Sequence, residues 1–198
     1  MAKTTAEAAD GLPILGFPDA GAFGRWLAIH HAESAGLWLK IPKKESGTPG
    51  PSYAEALDEA LRFGWIDGQK AALDASFYLQ RFTPRRARSK WSKINRSKAE
   101  ALIADGRMEP AGQAQVDAAR ADGRWEAAYD SHRTAEIPAD LAAALDAAPA
   151  NARAFFDGLS SANRYAILYR VQTAKRPETR ARRIATCVEM CVRGETFH

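Results

Sequence analysis

Between Arg81 and Lys98 the chain carries eight basic residues and no acidic one, in the stretch RFTPRRARSKWSKINRSK. Like charges held this close repel one another, and each would be costly to bury without a partner. Any fold open to this chain must therefore leave the stretch in solvent or set it against anions supplied from elsewhere. Phe77, Tyr78, Phe82 and Trp91 stand inside and beside the run. Bulky apolar rings mark ordered structure rather than a solvated tail. The segment is expected to be folded, basic and lined with aromatics, a composition suited to binding an anion.

The rest of the composition sets bounds. At 198 residues the chain suits one domain or two small ones. Its hydrophobic share is 46%, much of it alanine, which adds little core volume. A net charge of +4 is mild, but it is unevenly spread: residues 170–193 add seven Arg or Lys against two Glu, while 99–150 lean acidic. No apolar run is long enough to span a membrane. The opening MAKTTAEAADGLPILGF lacks the apolar core of a secretory signal and carries Glu7 and Asp10 where positive charge belongs. No membrane insertion and a cytoplasmic location are the expectations. Cys187 and Cys191 lie four apart in a helical segment, poorly aimed for a disulfide, and read as small buried hydrophobes. With His198 they could be imagined as a metal site, but a fourth ligand and the usual short spacing are missing.

Along the chain, residues 1–17 are interrupted by Gly and Pro and read as a loose or extended segment. Residues 18–128 read as an α+β region. Asp19 can cap a helix that reaches about Ser34. LWLKI, Leu37 to Ile41, alternates as a strand does. Ser52 and Glu55 form a capping box for a helix ending at Phe63. Trp65–Leu73 and Phe77–Thr83 then form a hairpin turned at Asp74–Ser76. From Ser92 helix dominates. The words Ala104-Asp105-Gly106-Arg107 and Ala121-Asp122-Gly123-Arg124 repeat one helix-stop device, with glycine at the left-handed position. Residues 129–137 read as a linker and 138–198 as a C-terminal helical unit, with Pro138, Pro149 and Pro177 at helix starts. The expected architecture is α+β and mainly helical. A small three-stranded sheet with a hairpin is packed by helices, and the helical unit comes after it.

Residues 63–112, FGWIDGQKAALDASFYLQRFTPRRARSKWSKINRSKAEALIADGRMEPAG, and 174–194, AKRPETRARRIATCVEMCVRG, resemble the bacterial YdeI/OmpD-associated family of bacteriocin-protection proteins. With the Ala-Asp-Gly-Arg-Trp element at 121–125, the likeness covers most of the chain from about Phe17. The resemblance implies a part in tolerance of bacteriocins, antimicrobial peptides or envelope stress. It brings no catalytic residues.

The candidate anion-binding residues are Arg81, Arg85, Arg86, Ser89, Trp91 and Ser92. Arginine forks match phosphate or carboxylate, Pro84 limits the mobility of Arg85 and Arg86, and a helix led by Ser92 would point free N–H groups at an anion. Trp91 can stack on a base, or it can be tucked into the core beneath a solvated basic face. Arg176, Arg180 and Arg183 share one side of the last helix. They form either a second basic patch or a solvent face with Glu178 paired to Arg182. Trp65, Asp67 and Tyr78 are candidates for a pocket, although Asp67 before Gly68 also suits a turn-stabilising carboxylate. The histidines assemble no site, and no nucleophile elbow or phosphate loop is present. No catalytic residue, metal or cofactor is assigned.

Three readings are open: a non-enzymatic cytoplasmic factor acting through an anionic ligand or protein partner, a nucleic-acid-binding module using the same face, or a small enzyme on a phosphorylated or carboxylated metabolite. The first is preferred.

Overall fold

The computed structural model describes residues 3–130 and 135–197. It is an α+β protein whose chain divides into two compact units, Met1–Trp91 with Asn95–Ala127, and Ser92–Ile94 with Ala128–His198.

The first unit is built on a five-stranded mixed sheet in the order β1-β2-β3-β5-β4. Its strands are β1 (Lys3–Glu7), β2 (Pro13–Gly16), β3 (Leu37–Pro42), β4 (Trp65–Ala72) and β5 (Phe77–Pro84). The three expected strands are present, and the count of three is corrected to five. The extra pair comes from the N-terminal segment expected to be loose or extended. That segment makes an antiparallel ribbon, β1 with β2, and β2 then runs parallel to β3. A parallel join needs a crossover, and helix α1 (Ala20–His30) supplies it.

The local signals act as their chemistry requires. Asp19 accepts a hydrogen bond from the Ala22 N–H at 2.7 Å and opens α1. Helix α2 (Tyr53–Arg62) starts with the reciprocal Ser52–Glu55 capping box. At the hairpin turn the Asp74 carboxylate takes the N–H groups of Ser76 and Phe77, both at 2.8 Å. Helices α3 (Lys93–Ala104) and α4 (Pro110–Ala121) come next. The two stop glycines, Gly106 and Gly123, have φ of +67° and +77°, where a side chain would be strained.

Helices α1 and α2 cover one face of the sheet. Phe23 meets Phe82 there at 5.7 Å, and Leu27, Leu37, Leu39, Ile41, Leu57 and Leu61 are buried as well. Burial of each such side chain contributes roughly 1.5–3 kcal/mol. Leu12, Ile14, Trp38 and Leu79 form a smaller cluster. Between Asp67 and Lys70 the β4–β5 register slips in a bulge. The buried Gln80 amide answers it by donating to the carbonyls of Gly68 (2.9 Å) and Gln69 (3.2 Å), which the slip takes out of the ladder.

The second unit is helical: α5 (Ala139–Ala147), α6 (Ala150–Asp157), α7 (Ser161–Gln172) and α8 (Pro177–Arg193). Pro138 and Pro149 sit at N-caps, Pro177 opens α8, and Gly194 closes it in the left-handed conformation. Leu141, Leu145, Phe156, Ile167, Val171 and Ile184 form its core with both cysteines. The cysteines are free and buried, and burial pushes the Cys187 thiol up to about 11. Among the described residues no cluster of three or more metal-ligating side chains occurs. His198, and part of the 129–137 stretch read as a linker, lie outside the described residues.

Candidate functional site

Three residues of the basic run are met by carboxylates far away in sequence. Arg81 sits 3.0 Å from the Asp10 carboxylate, Lys98 sits 2.6 Å from Asp58, and Lys93 sits 2.6 Å from Asp130. Arg96 lies 3.7 Å from Glu100 on its own helix. Asp10 is itself well organised. The Trp38 indole N–H donates to it at 3.0 Å and the Leu12 N–H at 3.3 Å. These bonds, with the Arg81 charge, hold its carboxyl below the usual carboxylate range. Arg81 is thereby drawn toward Asp10. Asp67, which sits opposite Phe82 in the register, is bonded by the Tyr53 hydroxyl at 2.8 Å. The Asn95 amide approaches it at 3.5 Å.

Arg85 and Trp91 are packed against each other. The Arg85 guanidinium lies over the Trp91 ring at 3.6 Å and donates to the Lys90 carbonyl at 3.2 Å. Trp125 meets Trp91 edge-on at 4.8 Å. Arg85 is 6% exposed and Trp91 2%. Trp91 therefore offers no open face on which a base could stack, and of its two expected places the burial matches the one tucked into the core. The cause is its fit between a cation and a second indole, which brings dispersion and cation–π attraction together.

The turn between them has a different character. The Arg86 N–H donates to the Ser89 hydroxyl at 2.9 Å, and the Ser89 N–H returns to the Arg86 carbonyl at 2.9 Å. Arg124 donates to the Ser89 carbonyl at 2.9 Å. Arg86 and Arg88 project from this latched turn, both exposed. No described carboxylate forms an ion pair with either. Lys90 is exposed beside them. Ser92 forms a parallel β-bridge with Tyr129.

Trp65, Asp67 and Tyr78 do not make one pocket. Trp65 is 1% exposed, and its indole donates to the His31 carbonyl at 3.1 Å. Tyr78 pairs with Ala72 and Ile41 at the far end of the hairpin, roughly 15 Å from Asp67 at the rise of a strand. There it carries Lys70 over its ring at 3.9 Å. Burial raises its hydroxyl pKa.

Sequence reasoning passed over two further concavities. In the first unit, Leu15, Phe17, Trp26, Ile29 and His30 line a groove of about 950 Å³, with Ile29 73% exposed. In the second, arginines of α7 and α8 surround a smaller hollow.

Residues 15–115, just over half of the chain, match the family model of a domain of unknown function, DUF8412. The chain belongs to that family. Residues 134–194 match the family described as Bacteriocin-protection, YdeI or OmpD-Associated. The 174–194 block that carried the resemblance lies within this YdeI/OmpD-associated stretch. The 63–112 block lies within the DUF8412 stretch, outside the residues that the YdeI/OmpD-associated model matches. No curated protein and no solved structure matches the chain. Among the described residues no helix is long and apolar enough to cross a membrane.

Proposed function

We propose that this DUF8412 and YdeI/OmpD-associated protein is a non-enzymatic cytoplasmic factor. In this reading it contributes to tolerance of bacteriocins, antimicrobial peptides or envelope stress by docking an acidic protein partner on the Arg86–Lys90 turn. The observation that carries the reading is the pair Arg86 and Arg88, exposed and without an ion-pair partner among the described residues, on a turn latched by Ser89 and Arg124. A turn already held in shape loses little conformational entropy on binding, so more of the charge attraction is retained as affinity. The non-enzymatic reading is supported by two carboxylates of the first unit that are already engaged. Asp67 is occupied by Tyr53 and Asn95, and the buried Glu59 by Arg62 and Arg107.

Fluorescence anisotropy with a labelled poly-glutamate peptide and with single-stranded and duplex oligonucleotides, at about 50 and 200 mM salt, tests the reading. Peptide binding that weakens with salt and is lost in the Arg86→Ala/Arg88→Ala variant is expected. Tighter, salt-steep binding of oligonucleotides through the same arginines would transfer the site to nucleic acid. Binding unaffected by the double substitution would remove the turn from function.

A further inference from the structure

A separate constellation lies in the second unit. Helix α8 presents two adjacent rows, Arg182 with Thr186 and Arg183 with Cys187, each pair four residues apart. Arg170 of α7 and Phe197, beyond the end of α8, complete the rim of a hollow of about 240 Å³. The three guanidinium groups are individually placed. Arg183 donates to the Arg170 carbonyl at 2.6 Å and lies 3.4 Å from the Thr173 hydroxyl. Arg170 lies over the Phe197 ring at 3.8 Å. Arg182 is exposed. Among the described residues no carboxylate forms an ion pair with any of the three, whereas Arg153, Arg180 and Arg193 of the same unit are all paired. The Glu178–Arg182 pair expected from helix spacing is absent among these.

Cys187, the one acidic group among the described residues lining the hollow, is held as a neutral thiol at ordinary pH because burial raises its pKa to about 11. Among the described residues the hollow thus collects three cations and no compensating anion. Such a group is relieved best by a ligand with more than one negative charge and several acceptor oxygens, which planar guanidinium forks can grip from different sides. Its size falls below the roughly 300–1,000 Å³ of sites that enclose drug-sized ligands. It has room for a headgroup rather than for a nucleotide.

We propose that Arg170, Arg182 and Arg183 form a binding site for a terminal phosphate group. The ligand is either a free phosphate ion or the phosphoryl end of a small metabolite whose remainder stays outside the hollow. This site is independent of the Arg86–Lys90 turn, and the Arg86→Ala/Arg88→Ala variant is expected to keep it intact.

Isothermal titration calorimetry of the full chain, with glycerol 3-phosphate, inorganic phosphate and acetate as separate titrants at low salt, reads the site. Saturable binding at one equivalent is expected. Arg182→Ala is expected to weaken it by on the order of tenfold or more, the loss of a charge-assisted contact. Arg176→Ala, which removes the same charge at the exposed start of α8, is expected to leave it unchanged. Affinity for the monoester should fall as pH drops below about 6, where its second charge is lost. Equal affinity for both phosphates would identify the free ion as ligand, and binding of the monoester alone would identify a phosphorylated metabolite. Circular dichroism checks the fold. Because Arg183→Ala also breaks a backbone contact, Arg182→Ala is the deciding variant. Absence of binding at millimolar titrant, equal losses in Arg176→Ala and Arg182→Ala, or acetate bound as well as phosphate would each overturn the proposal.

Discussion

Replacing Trp91 by alanine separates a structural tryptophan from a ligand-stacking one. Trp91 is 2% exposed, lies 3.6 Å beneath the Arg85 guanidinium and meets Trp125 at 4.8 Å. Truncating a large buried aromatic costs about 3–5 kcal/mol. The guanidinium left over the void adds to this, since a buried cation that loses its neighbour keeps its desolvation cost. A loss of at least about 3 kcal/mol is expected for the first unit. Trp91→Phe should cost less, because a ring remains under Arg85. All five tryptophans, Trp26, Trp38, Trp65, Trp91 and Trp125, lie in the first unit. Tryptophan emission under selective excitation therefore follows that unit alone. With a urea slope near 2 kcal/mol/M, the midpoint should fall by roughly 1.5–2.5 M. A shift below about 0.5 M, at unchanged slope, would refute the burial argument and return Trp91 to the ligand surface.

The same geometry predicts two further outcomes. A Cβ at Gly112 would lie 2.2 Å from the Arg62 carbonyl and 2.7 Å from that of Leu61, both backbone atoms. Gly112→Ala should cost about 1–3 kcal/mol through overpacking where α4 crosses the end of α2, read as a lower urea midpoint in tryptophan emission. In the second unit, Asp140 takes two hydrogen bonds from Arg180, at 2.6 and 2.8 Å, and its carboxyl is held below the ordinary value of 3.8. A carboxylate with a depressed folded pKa contributes stability above its unfolded pKa and loses it as pH falls through the folded one. The wild-type urea midpoint by circular dichroism should therefore drop more steeply below about pH 4 than that of Asp140→Asn. Parallel curves would show that the pair contributes nothing.

Much of the first unit was legible because its signals are local. The Ser52–Glu55 box, the Asp74 turn and the stop glycines Gly106 and Gly123 each act within a few residues, and each is found where the chain announces it. The ribbon at the N-terminus was less legible. Gly11 and Pro13 break the alternation that marks a strand, and the parallel join to β3 forms only once α1 has folded across. The Asp10–Arg81 pair cannot be read from spacing, since it joins distant segments that meet only through the pairing of β3 with β5.

The basic segment shows the division of labour most clearly. Its composition alone set the demand that eight cations within eighteen residues find solvent, anions or another partner, because unpaired burial is too costly. Only the tertiary structure decided how those cations are shared out. Asp10, Asp58, Glu100 and Asp130 neutralise four, the Trp91 ring accommodates Arg85, and Arg86 and Arg88 are left in solvent on a braced turn. The same holds for Arg170, Arg182 and Arg183, whose gathering around one hollow depends on how α7 packs against α8. Charge in a sequence states a demand for partners. Coulomb attraction acts through space, so the fold alone determines which partners meet it.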